Sequence, residues 1–368
     1  MIRRLGIAVL LLLMGSFGLG VYGYLGTLKA TPKITAHAIL PSHTKPKFFL
    51  PGTMFIAQGG GIFRLKGGQF TQIASGGWTQ PGATPDHNHL VAVQRTTSES
   101  DLYLLDLDGH VIKQLTHNVN RNTSFNHWSF FPRVSADGQN VFYSYDPKDP
   151  SNLHRVDLAV YAMPLNGTQS RARRWTDPWQ LSGGDVQPIP LATGGLLYTK
   201  YNFDAQGHSY SQLWLQRAPF SVAVGKALTT PQESCSQAAL SPDAKRIAMI
   251  CSGGQQVGRL EIASFDGANL GPATVLVDGQ LCAAPVWSPD GNGLAYLAPV
   301  GPAGHFQLFY LPVLPGPTPT PIAAASATAR ATATASARPL PAPTPAPLIP
   351  LQVSADLDFD TTAAPAWY

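Results

Sequence analysis

Cysteine is scarce in this chain, with three in 368 residues. That count excludes a disulfide-dense mini-scaffold. With no CxxC pair and no histidine nearby, it also argues against a structural zinc site. Charge is scarce too: Asp, Glu, Lys and Arg make up 12% of the residues and the net charge is +4. A nucleic-acid partner calls for a basic excess on one face. Here Arg3 and Arg4 supply two of the net charges, and Arg171, Arg173 and Arg174 read as a solvated face. No GxSxG elbow, HExxH pair or P-loop occurs, so the motifs of the common hydrolases, metalloproteases and NTPases are missing. No helix-periodic segment stands out after residue 30, and there is one long apolar run, from Leu5 to Leu28.

Turn-formers are plentiful, with 35 glycines and 33 prolines. They fall into a repeat: QPGATPDH (Gln80 to His87), FPRVSADG (Phe131 to Gly138), QPIPLATG (Gln187 to Gly194), QAALSPDA (Gln237 to Ala244), APVWSPDG (Ala284 to Gly291) and APAWY at the end. Aligned on Thr84, Ser135, Leu191, Ser241, Ser288 and Tyr368, the spacings are 51, 56, 50, 47 and 80 residues. The last contains a 34-residue tract of Pro, Ala, Thr and Ser, Leu314 to Pro347, and without it the spacing is 46. A fixed period of this size marks stacked or radial repeats. Strand-like runs follow each turn, among them LVAVQ (Leu90 to Gln94), VFYSY (Val141 to Tyr145), LAVYAMPL (Leu158 to Leu165) and RIAMI (Arg246 to Ile250). Four short strands per 45 to 55 residues make a propeller blade. In the Ser-Pro-Asp-Gly turn, Pro presets φ, Asp bonds the backbone ahead and Gly accepts positive φ. The last unit holds one strand, Ala363 to Tyr368, and the segment before the first unit holds three: Thr53 to Gln58, Gly61 to Lys66 and Gln69 to Ala74. Together they complete a sixth blade and remove the open sheet edges.

The segments APVWSPDGNGLAYLA and QAALSPDAKRIAMI resemble the WD40-like (PD40) repeats of TolB-type six-bladed propellers. The resemblance covers roughly residues 50 to 368 outside the insertion, and weakens in the third unit, where LATG replaces SPDG. It implies an all-β six-bladed propeller whose terminal strands share the closing blade. Rings of this kind serve as extracytoplasmic protein-binding scaffolds, and similar blades gate prolyl-oligopeptidase-type enzymes, so fold alone does not decide function. The peptidase reading needs on the order of 250 further residues of α/β-domain, which this chain does not contain.

Arg3 and Arg4 precede an apolar run long enough to cross a bilayer as one transmembrane helix, residues 1–28, with the N-terminus in the cytoplasm. The expectation is an uncleaved signal-anchor, a tether at 29–50 and the ring at 51–368 on the extracytoplasmic side. Cleavage after Ala30, Ala36 or Ala38, giving a secreted ring, is the alternative. No cysteine follows the run, against a lipoprotein anchor. The 314–347 tract cannot bury a core and reads as a disordered spacer within blade five, suited to O-glycosylation or wall contact. Asn122-Thr-Ser124 and Asn166-Gly-Thr168 match the glycosylation sequon and are taken as surface markers.

Cys235 and Cys282 occupy equivalent places six residues before their turns, and Cys251 falls opposite Cys235 across a hairpin. Cys235–Cys251 is the disulfide candidate, Cys251–Cys282 the second. His87-Asn-His89 beside Asp86 reads as turn polarity, and Asp106-Leu-Asp108-Gly109 as a hairpin turn; no metal or cofactor is expected. In a propeller the first strands start at the channel mouth, which makes Trp78, His127, Trp128, Asp185, Asp358 and Asp360 candidate ligand-binding residues, with Asp356 in the same acidic loop. The reading is a non-catalytic, membrane-anchored scaffold for a protein or cell-envelope polymer, monomeric and without nucleic acid. The alternative is a sensor or enzyme taking a carbohydrate or peptide at the channel mouth.

Overall fold

A computed structural model of the chain describes residues 50–148, 151, 155–253, 257–301, 304–313, 349–355 and 357–368. The apolar run, most of the tether, the 314–347 insertion and Asp356 lie outside the described residues.

The described chain forms six four-stranded antiparallel sheets. The closing blade begins with β1 (Thr53–Gln58), β2 (Gly61–Lys66) and β3 (Gln69–Ser75). Blade one is β4 (Trp78–Ala83), β5 (His89–Arg95), β6 (Ser100–Asp106) and β7 (Val111–Gln114). Blade two is β8 (Ser129–Val134), β9 (Asn140–Tyr145), β10 (Ala159–Pro164) and β11 (Arg173–Arg174). Blade three is β12 (Asp185–Pro190), β13 (Leu196–Phe203), β14 (Ser209–Gln216) and β15 (Lys226–Ala227). Blade four is β16 (Cys235–Leu240), β17 (Arg246–Cys251), β18 (Arg259–Phe265) and β19 (Leu270–Val277). Blade five is β20 (Ala283–Trp287), β21 (Gly293–Val300), β22 (His305–Pro312) and β23 (Leu351–Gln352). The final strand, β24 (Ala366–Trp367), pairs with β1 in the register Phe55 to Ala366 and Met54 to Trp367, which closes the ring.

The core lies between blades. Successive residues of a strand point to opposite faces, so the second strand of each blade feeds two neighbours. Leu90 and Ala92 pack toward the closing blade with Phe55 and Ile62, whereas Val91 and Val93 pack toward blade two with Val141 and Tyr143. Leu294 and Tyr296 join blade four, whereas Ala295 and Leu297 join the closing blade. Strands covered on both faces are apolar in near-continuous runs, which is why LVAVQ lacks polar alternation.

The repeated turn is a hydrogen-bonded unit. In blades two, four and five Ser135, Ser241 and Ser288 each donate through Oγ to the Asp two residues on, at 2.5 Å, and Thr84 does so to Asp86 in blade one. The same hydroxyl accepts the amide five residues later, from His89, Asn140, Arg246 and Gly293. Leu191 has no hydroxyl, and its turn closes through the backbone alone, the Gly194 amide donating to Leu191 O and the Leu191 amide to Gly195 O.

The segment upstream of each turn, which carries a proline in blades one, two, three and five and Ala238 in blade four, forms a β-bulge. In blades one to five the first strand slips register at the same point. There a non-glycine residue is left-handed: Gln80 (φ 52°), Phe131 (53°), Gln187 (55°), Gln237 (49°) and Ala284 (51°). A bulge leaves an amide without a ladder partner, and three glutamines supply the missing acceptor across blades. Gln80 Oε1 accepts from the Phe131 amide, Gln187 Oε1 from Gln237, and Gln237 Oε1 from Ala284.

Candidate functional site

The candidate residues do not meet at one site. Trp78 is buried between the closing blade and blade one, edge-on to Tyr103 at 5.1 Å. Asp185 is fully buried, paired with Lys200 Nζ at 3.1 Å, and burial pushes its carboxyl up against the opposing pull of that ammonium. Both side chains are thus buried and have protein partners. Ser129, Cys235 and Cys282, at the equivalent positions of the repeat, are buried too. Asp358 is exposed, meeting His305 at 3.2 Å. Asp360 accepts from Thr79 Oγ1 at 2.6 Å and from the Thr362 amide at 2.9 Å. Trp128 lies between Phe130, at 6.0 Å, and the Arg95 guanidinium, at 5.7 Å. Each carboxylate thus has its own local partner, and none lines a cavity with another.

The channel is occupied by the chain itself. After Phe359 bridges β1 at Gln58, residues 360–364 run against the inner strands of blades one to four before β24 begins. Gln187 Nε2 donates to Thr362 O, Gln237 Nε2 to Thr361 O, and Arg133 Nη2 to Ala364 O. Gln80 Nε2 reaches Thr362 Oγ1 at 3.5 Å. One short strap is thus held by four blades. The free volume left beside it, lined by Phe131, Arg133, Gln187, Gln237 and Ala363, is about 30 Å³. Ligand pockets run from about 300 to 1,000 Å³, and a single water fills much of a 30 Å³ space. Among the described residues Arg133 forms no ion pair, and burial pushes its guanidinium down to about 10.

A larger opening lies between blades one and two. Its volume is about 440 Å³, and Tyr143, Tyr145, Tyr161, His127, Asn118 and Gln169 line its wall and floor. Tyr143 and Tyr161 are cross-strand partners on β9 and β10, and Tyr145 lies two residues from Tyr143 on the same face. Tyr145 stands edge-on to Tyr161 at 5.2 Å, and His127 stacks on Tyr145 at 5.2 Å with Nδ1 held by Asp146 O at 2.8 Å. The floor is fixed from below. Asn118 Nδ2 donates to Ser100 O and Ser129 Oγ, and its Oδ1 accepts from Gln169 Nε2 at 3.0 Å. Burial pushes the Asp101 carboxyl up, opposed by hydrogen bonds from Thr116 Oγ1 and the Asn118 amide. Of the six sequence candidates only His127 lines this pocket. In the sequence the tyrosines stand out only as strand residues, although alternation in VFYSY places Tyr143 and Tyr145 on one face.

Cys235 and Cys251 face each other across β16 and β17 and are joined, with Sγ–Sγ 2.07 Å and Cα–Cα 4.0 Å. Cys282 is a buried free thiol, pushed up to about 12 by burial. Among the described residues no three His, Cys, Asp or Glu side chains gather as a metal site.

No protein-family model matches the chain, and no curated protein matches it in sequence. Solved structures do match in fold. TolB from Acinetobacter baumannii aligns with a TM-score of 0.54 at 18% identity, over 73% of this chain and 63% of that one. A putative TolB from Agrobacterium tumefaciens aligns at 0.50 and 14%, over 71% and 84%. Hydrazine synthase from Kuenenia stuttgartiensis aligns at 0.50 and 12%, over 72% and 45%. The chain therefore spans less than two thirds of the length of the A. baumannii protein. At these identities the likeness is one of fold, and the fold is a TolB-like six-bladed propeller.

Proposed function

We propose that this TolB-like ring is a non-catalytic scaffold, anchored by its N-terminal apolar run on the extracytoplasmic side of a membrane, that docks a protein or envelope polymer on its outer surface. The observation that carries the reading is the strap: residues 361–364, held by side chains from four blades, leave recognition to the periphery. Two loops there expose large apolar side chains. Trp179 and Leu181 are 59% and 68% exposed between blades two and three, and Val222 and Val224 are 76% and 93% exposed between β14 and β15. Arg174 lies over Phe220 at 4.8 Å, tying the end of blade two to the second loop. Exposed apolar side chains grouped in loops are a common basis of protein docking. The Cys235–Cys251 disulfide supports an oxidising compartment.

Photo-crosslinkers at Trp179, Val222 and Thr362 of the full chain in native membranes test this. Defined adducts from the first two positions, with none from Thr362, are expected. Adducts from Thr362 alone, or from none of the three, would remove the reading.

A further inference from the structure

From the pocket between blades one and two we infer that the ring carries a second, peripheral site, which takes a neutral saccharide. Four observations define its chemistry. First, its wall is aromatic on more than one side: Tyr145 is edge-on to both Tyr161, at 78°, and Tyr143, at 72°, and parallel to His127 within 20°. Flat apolar faces of this kind receive the C–H faces of a pyranose, as aromatic residues receive other half-apolar surfaces.

Second, the three phenol oxygens have no hydrogen-bond partner among the described residues. None of the three is among the buried polar atoms that lack a partner, so each oxygen is open to solvent and to a ligand. Three of them in one pocket offer donors and acceptors to a hydroxyl-rich ligand. Third, the polar floor is set before any ligand arrives. Asn118 is 1% exposed and bonded to Ser100, Ser129 and Gln169, while Gln169 Oε1 also accepts the His117 amide at 2.8 Å. Preorganisation of this sort lowers the ordering cost of binding. Fourth, no Asp, Glu, Lys or Arg lines the pocket, so neither a uronate nor a cationic headgroup finds a permanent opposite charge at the wall. A volume of about 440 Å³ lies within the range of small-molecule sites, and the rim at Val119, Asn120 and Ser170 is exposed. That opening lets the ligand be an oligosaccharide or a sugar unit within a longer polymer.

The site is separate from the apolar loops that carry Trp179, Leu181, Val222 and Val224, and its test separates the two readings. Full-length protein in detergent is titrated with neutral tetrasaccharides of glucose and of N-acetylglucosamine, with tetragalacturonate and with choline, by calorimetry and saturation-transfer NMR. A neutral tetrasaccharide is expected to bind saturably, with Tyr145→Ala weakening it at least tenfold and Tyr161→Phe, which removes one oxygen, weakening it two- to fivefold. Melting temperatures of both variants are measured, and Tyr161→Phe keeps the test valid if Tyr145→Ala unfolds. Co-sedimentation with isolated wall polysaccharide, set against the soluble tetrasaccharides, distinguishes a polymer source from a free sugar. Preferred binding of tetragalacturonate or choline, no saccharide binding at all, or wild-type affinity in Tyr161→Phe and a folded Tyr145→Ala would each overturn the inference. If saccharides fail while cross-links at Trp179 persist, this inference falls and the scaffold reading stands.

Discussion

Trp287 shows how much one side chain of the repeat carries. It is 3% exposed between blades four and five, donates from Nε1 to Ala239 O at 3.0 Å and lies under the Arg246 guanidinium at 4.5 Å. Trp287→Ala is expected to cost about 3–5 kcal/mol in denaturant unfolding, and a loss below about 1 kcal/mol would contradict this packing. Trp367, its counterpart in the closing blade, is only half-buried, with Nε1 on Pro51 O at 2.7 Å. Its replacement should cost less, about 1–2 kcal/mol. The turn carboxylates set a pH dependence. Hydrogen bonds from Ser241 and Ser288 hold Asp243 and Asp290 below the 3.8 of a free carboxylate. For a depressed acid the stabilisation is present above that value and lost as pH falls through the lower folded value. The double variant Asp243→Asn, Asp290→Asn should therefore show a shallower fall in melting temperature than wild type between pH 4 and 2. Identical slopes would show that these carboxylates do not couple folding to protons.

The bulged first strand is the element that organises the ring. Its left-handed residue breaks the ladder and hands an amide to the glutamine of the preceding blade, while the glutamine amides of blades one, three and four hold the strap. Gln237→Ala should strand the Ala284 amide and release Thr361 O, costing about 1–3 kcal/mol. Hydrogen exchange at Ala284 should rise with it, and an unchanged exchange rate would contradict the ladder. Gly52 is bound to glycine twice over: its φ is +76°, and a Cβ there would run into the Tyr368 carbonyl. Gly52→Ala is thus expected to destabilise the closing blade by more than the about 1 kcal/mol typical of exposed glycine sites. The strands, turns and closure were legible because period and alternation repeat. The strap was not, since Asp360 to Ala364 read as a soluble loop, and only three-dimensional pairing with Gln80, Gln187 and Gln237 gives it a place. The pocket was half legible: alternation aligns Tyr143 with Tyr145, but Tyr161, His127 and Asn118 come together only through cross-strand register and the loop after β7.

At the scale of the whole molecule, six sheets make a closed ring because the last strand returns to the first. Tyr368 is the latch: its backbone exchanges hydrogen bonds with Thr53 at 2.6 and 3.0 Å, and its ring stacks on His87 at 4.3 Å. Losing residues 363–368 would expose the edge of β1 and uncover Phe55 and Met54. Such a truncation should abolish cooperative unfolding, seen as loss of a single sharp calorimetric transition. A ring that closes through β24 and holds the segment before it against four blades is the ground for the proposal of docking at the periphery. Hydrogen exchange over residues 359–368 of the full chain tests that most directly. Phe359, Asp360 and Tyr368 amides donate to Phe306, Ala57 and Thr53 carbonyls, so exchange at least about 1,000-fold slower than in a free peptide is predicted. Exchange at free-peptide rates would contradict both the closure and the filled channel.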